Sequence, residues 1–72
     1  MIGPETFARL RAAARELGAA GHVPTAGYGG VDLANDICAH AGVELPLGWL
    51  DLTTTQINTL WDDFHTTAGS RA

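Results

Sequence analysis

The clearest pattern of apolar and polar positions lies in the last third of the chain. Large apolar residues recur there at spacings of three and four, at Ile57, Leu60, Trp61 and Phe64. Such spacing places the side chains on one face of a helix. Thr53 followed by Gln56 is typical of a capping box, and Leu52 with Ile57 has the spacing of a hydrophobic staple. The pattern predicts a helix over about 54–67.

A first helix is predicted near the start of the chain. Pro4 suits the first helical position, and Glu5 is placed to stabilise the positive end of the helix dipole. The apolar residues that follow keep the helical period, at Phe7, Leu10, Ala14 and Leu17. Gly18 is a typical stop, so the prediction is a helix over about 4–17.

A second helix is predicted over about 32–41. Its inward positions are Leu33, Ala34, Ile37, Cys38 and Ala41. Gly42 supplies the end of the helix, and the apolar Val43 after it fits a Schellman-type stop.

Two unusual connectors join these helices. The glycine-rich segment 18–30 is predicted to be a loop, with Val23 and Tyr28 as its apolar anchors. In segment 43–52, which we call the strap, apolar residues alternate with others, but Pro46 and Gly48 argue against a central strand. The strap is therefore either extended or a single helical turn that begins at Pro46.

These elements predict an all-α fold, a small three-helix domain that spans 1–72, with a frayed tail over 69–72. A chain of 72 residues forms at most one domain, and its single core is only marginally sufficient. Help from a binding partner is therefore consistent with its size.

The charge balance is acidic, with four arginines, eight carboxylates and no lysine. Three of the arginines form a basic strip in the first helix, Arg9, Arg11 and Arg15. The sequence shows no secretory signal and no apolar run of membrane-spanning length. The lone Cys38 fits a reducing compartment. We expect a cytoplasmic protein, or one within an intracellularly assembled particle, and no membrane partner.

Catalytic, metal and cofactor sites are not expected. The zinc-type ligands His22, Cys38, His40 and His65 lack metal-binding spacing, and Asp36 is placed to pair with His40 on the helix surface. Neighbouring carboxylates at Asp62 and Asp63 diverge on a helix, which predicts a solvated acidic face. The glycines at 27–30 do not form a phosphate loop, because no lysine completes a Walker motif and Asp32 would repel the anion.

Segment 36–43, with its Ala41-Gly42-Val43 ending, resembles the turn of a helix-turn-helix. The resemblance implies a DNA-binding regulator in which the next segment is a recognition helix. That segment, 44–52, contains Pro46 and Gly48 and offers no Arg, Lys, Asn or Gln to base edges. Nucleic-acid contact through the basic strip is therefore the alternative hypothesis.

The preferred hypothesis is a non-enzymatic protein–protein interaction module. It either self-associates or docks onto a larger assembly, such as a multi-subunit or phage-like particle in which it is an accessory component. The expected contact residues are the large apolar groups outside the helical stripes, because accessible Trp and Tyr dominate interface energetics. They are Tyr28, Leu45, Leu47, Trp49 and Leu50.

Overall fold

Three α-helices and one short 3-10 turn make up the fold. The structure, a computed structural model, describes residues 2–22 and 27–69. Helix α1 spans Pro4–Ala19, α2 spans Gly30–Ala41 and α3 spans Thr54–Gly69. The 3-10 turn, Gly48–Asp51, lies between α2 and α3. The predicted all-α, three-helix architecture is confirmed. The predicted anchor Val23 and the tail beyond Gly69 lie outside the described residues.

The core lies between the three helices, with the most extensive packing between α1 and α3. Its buried side chains come from the predicted helical stripes and from the end of the strap: Leu10, Ala13, Ala14, Leu33, Ala34, Ile37, Leu52, Leu60 and Phe64. Half-buried neighbours such as Phe7, Ile57 and Trp61 pack around this cluster. Burial of these apolar faces is the main force that stabilises the domain.

Side chains cap the starts of α2 and α3. The Thr53 N–H donates to Gln56 Oε1 at 2.9 Å and the Gln56 N–H donates to Thr53 Oγ1 at 3.1 Å, so the predicted capping box is confirmed. At α2 the Gly29 N–H donates to Asp32 Oδ2 at 3.0 Å. Asp32 therefore satisfies a backbone donor at the helix start, where a carboxylate also suits the dipole.

Glycines with positive φ end α1 and α2. The predicted Schellman stop at Gly42 is confirmed, because φ is +69° and the Val43 N–H donates to the Cys38 carbonyl at 3.0 Å. The same arrangement ends α1 at Gly21, where φ is +88° and the His22 N–H donates to the Leu17 carbonyl at 3.1 Å.

Gly18 is not the stop of α1, and that prediction is wrong. It is a buried residue inside the helix. A Cβ at this position would overlap Thr67 Oγ1 and the Phe64 carbonyl oxygen of α3. Gly18 is therefore a point of close approach between α1 and α3, where a hydrogen atom fits and a methyl group does not.

Candidate partner-binding surface

The strap contains a short helical turn, one of the two predicted conformations. Residues 43–45 have no regular structure, and a turn begins at Pro46 and continues into the 3-10 turn. The Gly48 N–H donates to the Leu45 carbonyl at 3.0 Å, and Gly48 has φ of +59°. Asp51 Oδ2 accepts from the Leu47 N–H at 2.9 Å, which closes the turn from its far end. These bonds give the turn a defined shape despite its shortness.

Three large apolar side chains project from this turn into solvent. Leu47 and Leu50 are each 63% exposed, and Trp49 is 39% exposed. We call Leu47, Trp49 and Leu50 the apolar patch. Single exposed apolar residues are common on proteins, whereas three within four positions form a local concentration of exposed apolar side chains.

The other two predicted contact residues are half-buried. Leu45 packs against the core cluster. Tyr28 also packs there, and its ring stacks on Trp61 with 6.4 Å between centroids. Of the five residues predicted to contact a partner, the structure thus places three in the apolar patch and two against the core.

The Tyr28 hydroxyl fastens the end of the glycine-rich loop to α2. It donates to Asp36 Oδ2 at 2.6 Å, and His22 Nε2 lies 3.2 Å from the same hydroxyl. Burial and the hydrogen bond to Asp36 raise the pKa of Tyr28 far above its usual value, so the side chain stays a neutral phenol. Asp36 is therefore engaged here, and the predicted pairing of Asp36 with His40 is wrong.

Val31, which is not among the predicted contact residues, is a fourth exposed large apolar residue, at 39%. It follows Gly30, where an added Cβ would lie 3.2 Å from Ile57 Cγ2, so the starts of α2 and α3 are adjacent. The 3-10 turn leads directly into α3, and it also contacts α2. Val31 therefore lies near the start of α3, the helix that follows the 3-10 turn. The exposure of Val31 was predictable from the sequence, because this residue lies off the inward stripe of α2.

Asp63 contacts two of the three arginines of the basic strip, Arg11 and Arg15. Arg11 Nε donates to Asp63 Oδ2 at 2.8 Å and Arg11 Nη2 to Oδ1 at 3.2 Å, a bidentate pair between α1 and α3. Arg15 Nη2 lies 3.5 Å from Oδ1. The Asp63 side chain is 12% exposed, so the predicted solvated acidic face is wrong for this carboxylate.

The third arginine of the strip, Arg9, is engaged elsewhere. Its Nη2 donates to the Ala41 carbonyl at 3.3 Å, at the C-terminal end of α2. A cation there suits the negative end of the helix dipole. All three arginines of the predicted basic strip therefore contact partners within the domain.

The Asp63 pair predicts a specific pH dependence. The hydrogen bond from Arg11 holds the pKa of Asp63 below its ordinary value of 3.8. Because folding lowers this pKa, the pair stabilises the domain fully above about pH 5, and this contribution is lost as the pH falls through 3.8 and below the folded value. We expect Asp63→Asn to reduce the free energy of unfolding at neutral pH and to flatten its fall toward acid, measured by urea unfolding across pH.

The adjacent carboxylate offers a matched control for this prediction. Asp62 is exposed on α3, and Asp62→Asn makes the same chemical change one residue away. This variant should keep the acid dependence of the wild type. Equal acid dependence in Asp63→Asn and Asp62→Asn would contradict the role assigned to the Arg11–Asp63 pair.

Side chains that could bind a metal or act in catalysis are dispersed through the part of the chain that the structure describes. Within residues 2–22 and 27–69, no group of three or more His, Cys, Asp or Glu is placed to hold a metal ion. His40 Nε2 lies 2.8 Å from Glu16 Oε1 of α1, so this histidine links α2 to α1. Burial raises the pKa of the Cys38 thiol, which disfavours the reactive thiolate.

None of the described helices has both the length and the apolar character needed to cross a bilayer.

Comparison of the whole chain with known protein families, with curated proteins and with solved structures gives no match.

Proposed function

We propose that this domain is a non-enzymatic protein–protein interaction module and that the apolar patch is its binding surface. The observation that carries the proposal is the exposure of Leu47, Trp49 and Leu50 on a turn of defined shape. Leucine and tryptophan are residue types that are largely buried in folded proteins. The strap holds the three side chains of the apolar patch outside the core, whereas Leu52, the next apolar residue, is buried.

The composition of the apolar patch suits a binding hot spot. Burial of an exposed leucine side chain contributes about 1.5 to 3 kcal/mol, reduced in proportion to the area already covered. Tryptophan is among the residues whose truncation costs most at interfaces. Because the Asp51 and Gly48 hydrogen bonds already fix the turn, binding orders little additional backbone.

The nucleic-acid alternative has less support. Arg11 and Arg15 contact Asp63, and a DNA phosphate would have to compete with that carboxylate. A recognition helix would follow the Gly42 stop and occupy residues 44–52. These residues belong to the strap, and their regular structure is a 3-10 turn of four residues. The net charge of −4 also opposes binding to a polyanion.

The experiment that tests the proposal compares three immobilised forms of the domain in extracts of the source cells. These are the wild type, Leu47→Ser with Leu50→Ser, and the control Ala8→Ser with Ala12→Ser at exposed positions of α1. Both pairs exchange apolar groups for serine without a change in charge. We expect proteins retained by the wild type and the control to fall about tenfold or more with the patch variant, as mass spectrometry would measure.

Circular dichroism of the three forms checks that each remains helical, since the substituted side chains are exposed. The proposal fails if all three retain the same proteins in equal amounts. It also fails if the α1 control loses the same proteins as the patch variant, because the effect would then not belong to the apolar patch.

A further inference from the structure

Two histidine–carboxylate pairs join α2 to α1 and to the turn that ends α1. His40 Nε2 on α2 lies 2.8 Å from Glu16 Oε1 on α1. His22 Nε2, in the turn after α1, lies 3.4 Å from Asp36 Oδ2 on α2. One pair takes its carboxylate from α1 and the other takes it from α2. Both pairs therefore hold these two parts of the chain together.

The hydrogen bonds at His22 show which ring nitrogen carries a hydrogen. The Tyr28 hydroxyl donates its hydrogen to Asp36 Oδ2 at 2.6 Å. His22 Nε2 lies 3.2 Å from the oxygen of this hydroxyl and so faces two acceptor oxygens. A neutral His22 therefore carries its hydrogen on Nε2, and a second proton at Nδ1 adds positive charge beside Asp36 without the loss of a hydrogen bond. The same holds for His40, whose Nε2 faces a carboxylate oxygen of Glu16.

The third histidine, His65, has different surroundings. Its ring lies edge-on to the rings of Trp61 and Phe64, with centroids 4.8 Å and 5.3 Å apart. Within residues 2–22 and 27–69, His65 pairs with no carboxylate. Of the three histidines, His22 and His40 are therefore the two that would gain an opposite charge on protonation.

The other charged and titratable groups around the pairs keep one charge state between about pH 5.5 and about pH 8, since carboxylates and arginines do not ordinarily titrate there. Burial keeps the Tyr28 hydroxyl and the Cys38 thiol neutral over this range. Arg9 donates to the Ala41 carbonyl next to His40, and its positive charge opposes part of the gain there. The remaining acidic residues of α2, the strap and α3 are Asp32, Glu44, Asp51, Asp62 and Asp63.

We propose that protonation of His22 and His40 strengthens the docking of α2 on α1, so that the domain is more stable at about pH 5.5 than at about pH 8. In the unfolded chain neither imidazole is held beside its carboxylate. The stabilisation is therefore present on the acid side of about pH 6.5, where histidine ordinarily takes a proton, and is lost as the pH rises. Both pairs are partly exposed, so each should change the ratio of folded to unfolded protein by about two- to fivefold. This inference is independent of the proposed function.

The test measures urea unfolding of the full chain at about pH 5.5 and about pH 8. It compares the wild type, Glu16→Gln with Asp36→Asn, and the control Glu5→Gln with Asp62→Asn at exposed positions of α1 and α3. Both double variants keep the histidines and remove two carboxylates. In the wild type and the control, we expect the ratio of folded to unfolded protein to be about fourfold or more higher at the acid pH. In the pair variant it should change by less than about twofold.

The measured quantity is the difference between the two pH values, so a loss of stability that is the same at both cancels. Glu16→Gln alone changes a side chain that is 67% exposed, so this variant should fold even if the double variant does not. It should lose the part of the pH response that belongs to His40.

Three outcomes would overturn the inference. A wild type that is no more stable at the acid pH would show that protonation does not strengthen the docking. A pair variant that keeps the full pH response, or Glu16→Gln that does so where the double variant is unfolded, would show that the response does not come from these pairs. Loss of the response in the control as well would assign it to the net charge of the chain.

Discussion

Replacement of Gly18 by alanine is expected to destabilise the domain by about 2 to 3 kcal/mol, although alanine is the better helix former. Gly18 lies inside α1 and is buried against α3. The added Cβ would overlap Thr67 Oγ1 and the Phe64 carbonyl oxygen, and would lie 3.0 Å from the Ala68 backbone nitrogen. Two of these three atoms are backbone, so α1 and α3 must move apart. The midpoint of urea unfolding, followed by far-UV circular dichroism, measures the loss.

A second glycine variant tests whether the loss of stability comes from packing at position 18 or follows the replacement of any glycine. Gly3 is the N-cap of α1, and an added Cβ there meets nothing within 4 Å. Gly3→Ser introduces a preferred N-cap residue and should be neutral or slightly stabilising. If Gly18→Ala were as stable as Gly3→Ser, the close approach of α1 and α3 at this position would be wrong. Addition of Thr67→Ala should restore only part of the loss, because the Phe64 carbonyl remains in place.

The two glycines near the end of α1 show what local sequence rules can predict. Gly18 and Gly21 are both acceptable stops by composition, and the helical pattern of apolar residues ends just before Gly18. The choice between them depends on Phe64, Thr67 and Ala68 of α3, which are more than forty residues away and leave no room for a side chain at position 18. By contrast, the capping box at Thr53 and the stop at Gly42 depend on neighbours within five residues, and both were predictable.

The candidate binding surface was also predictable from the sequence only in part. The apolar residues of the strap were recognisable because Pro46 and Gly48 argue against a central strand. Which of them face solvent was not, because burial of Leu45 and exposure of Leu47 are set by the packing of the strap on the helices. The Arg11–Asp63 pair joins residues 52 positions apart, and no local spacing rule reports such a contact. Two of the three arginines that looked like a nucleic-acid strip, Arg11 and Arg15, are therefore linked to a distant carboxylate.

Phe64→Ala is expected to have the largest effect of any single truncation, a loss of about 3 to 5 kcal/mol. Phe64 is fully buried and is the largest such side chain in the described core. Its ring meets His22 edge-on at 5.9 Å and lies 6.5 Å from the Trp61 ring, so it connects α3 to the end of α1. A domain of this length has roughly 4 to 11 kcal/mol of total stability, so the variant should be largely unfolded or close to it at room temperature.

Because Phe64→Ala is close to the limit of folding, Phe64→Leu keeps the prediction measurable. Leucine retains most of the apolar volume, and the expected loss is about 1 to 2 kcal/mol with a cooperative transition preserved. Trp61→Ala should cost less than Phe64→Ala, since Trp61 is only half-buried at the edge of the core. Urea unfolding followed by far-UV circular dichroism ranks the three variants without depending on the tryptophan signal. A smaller loss for Phe64→Ala than for Trp61→Ala would mean that the centre of the core lies closer to Trp61, and that the packing of α3 against α1 is assigned to the wrong ring.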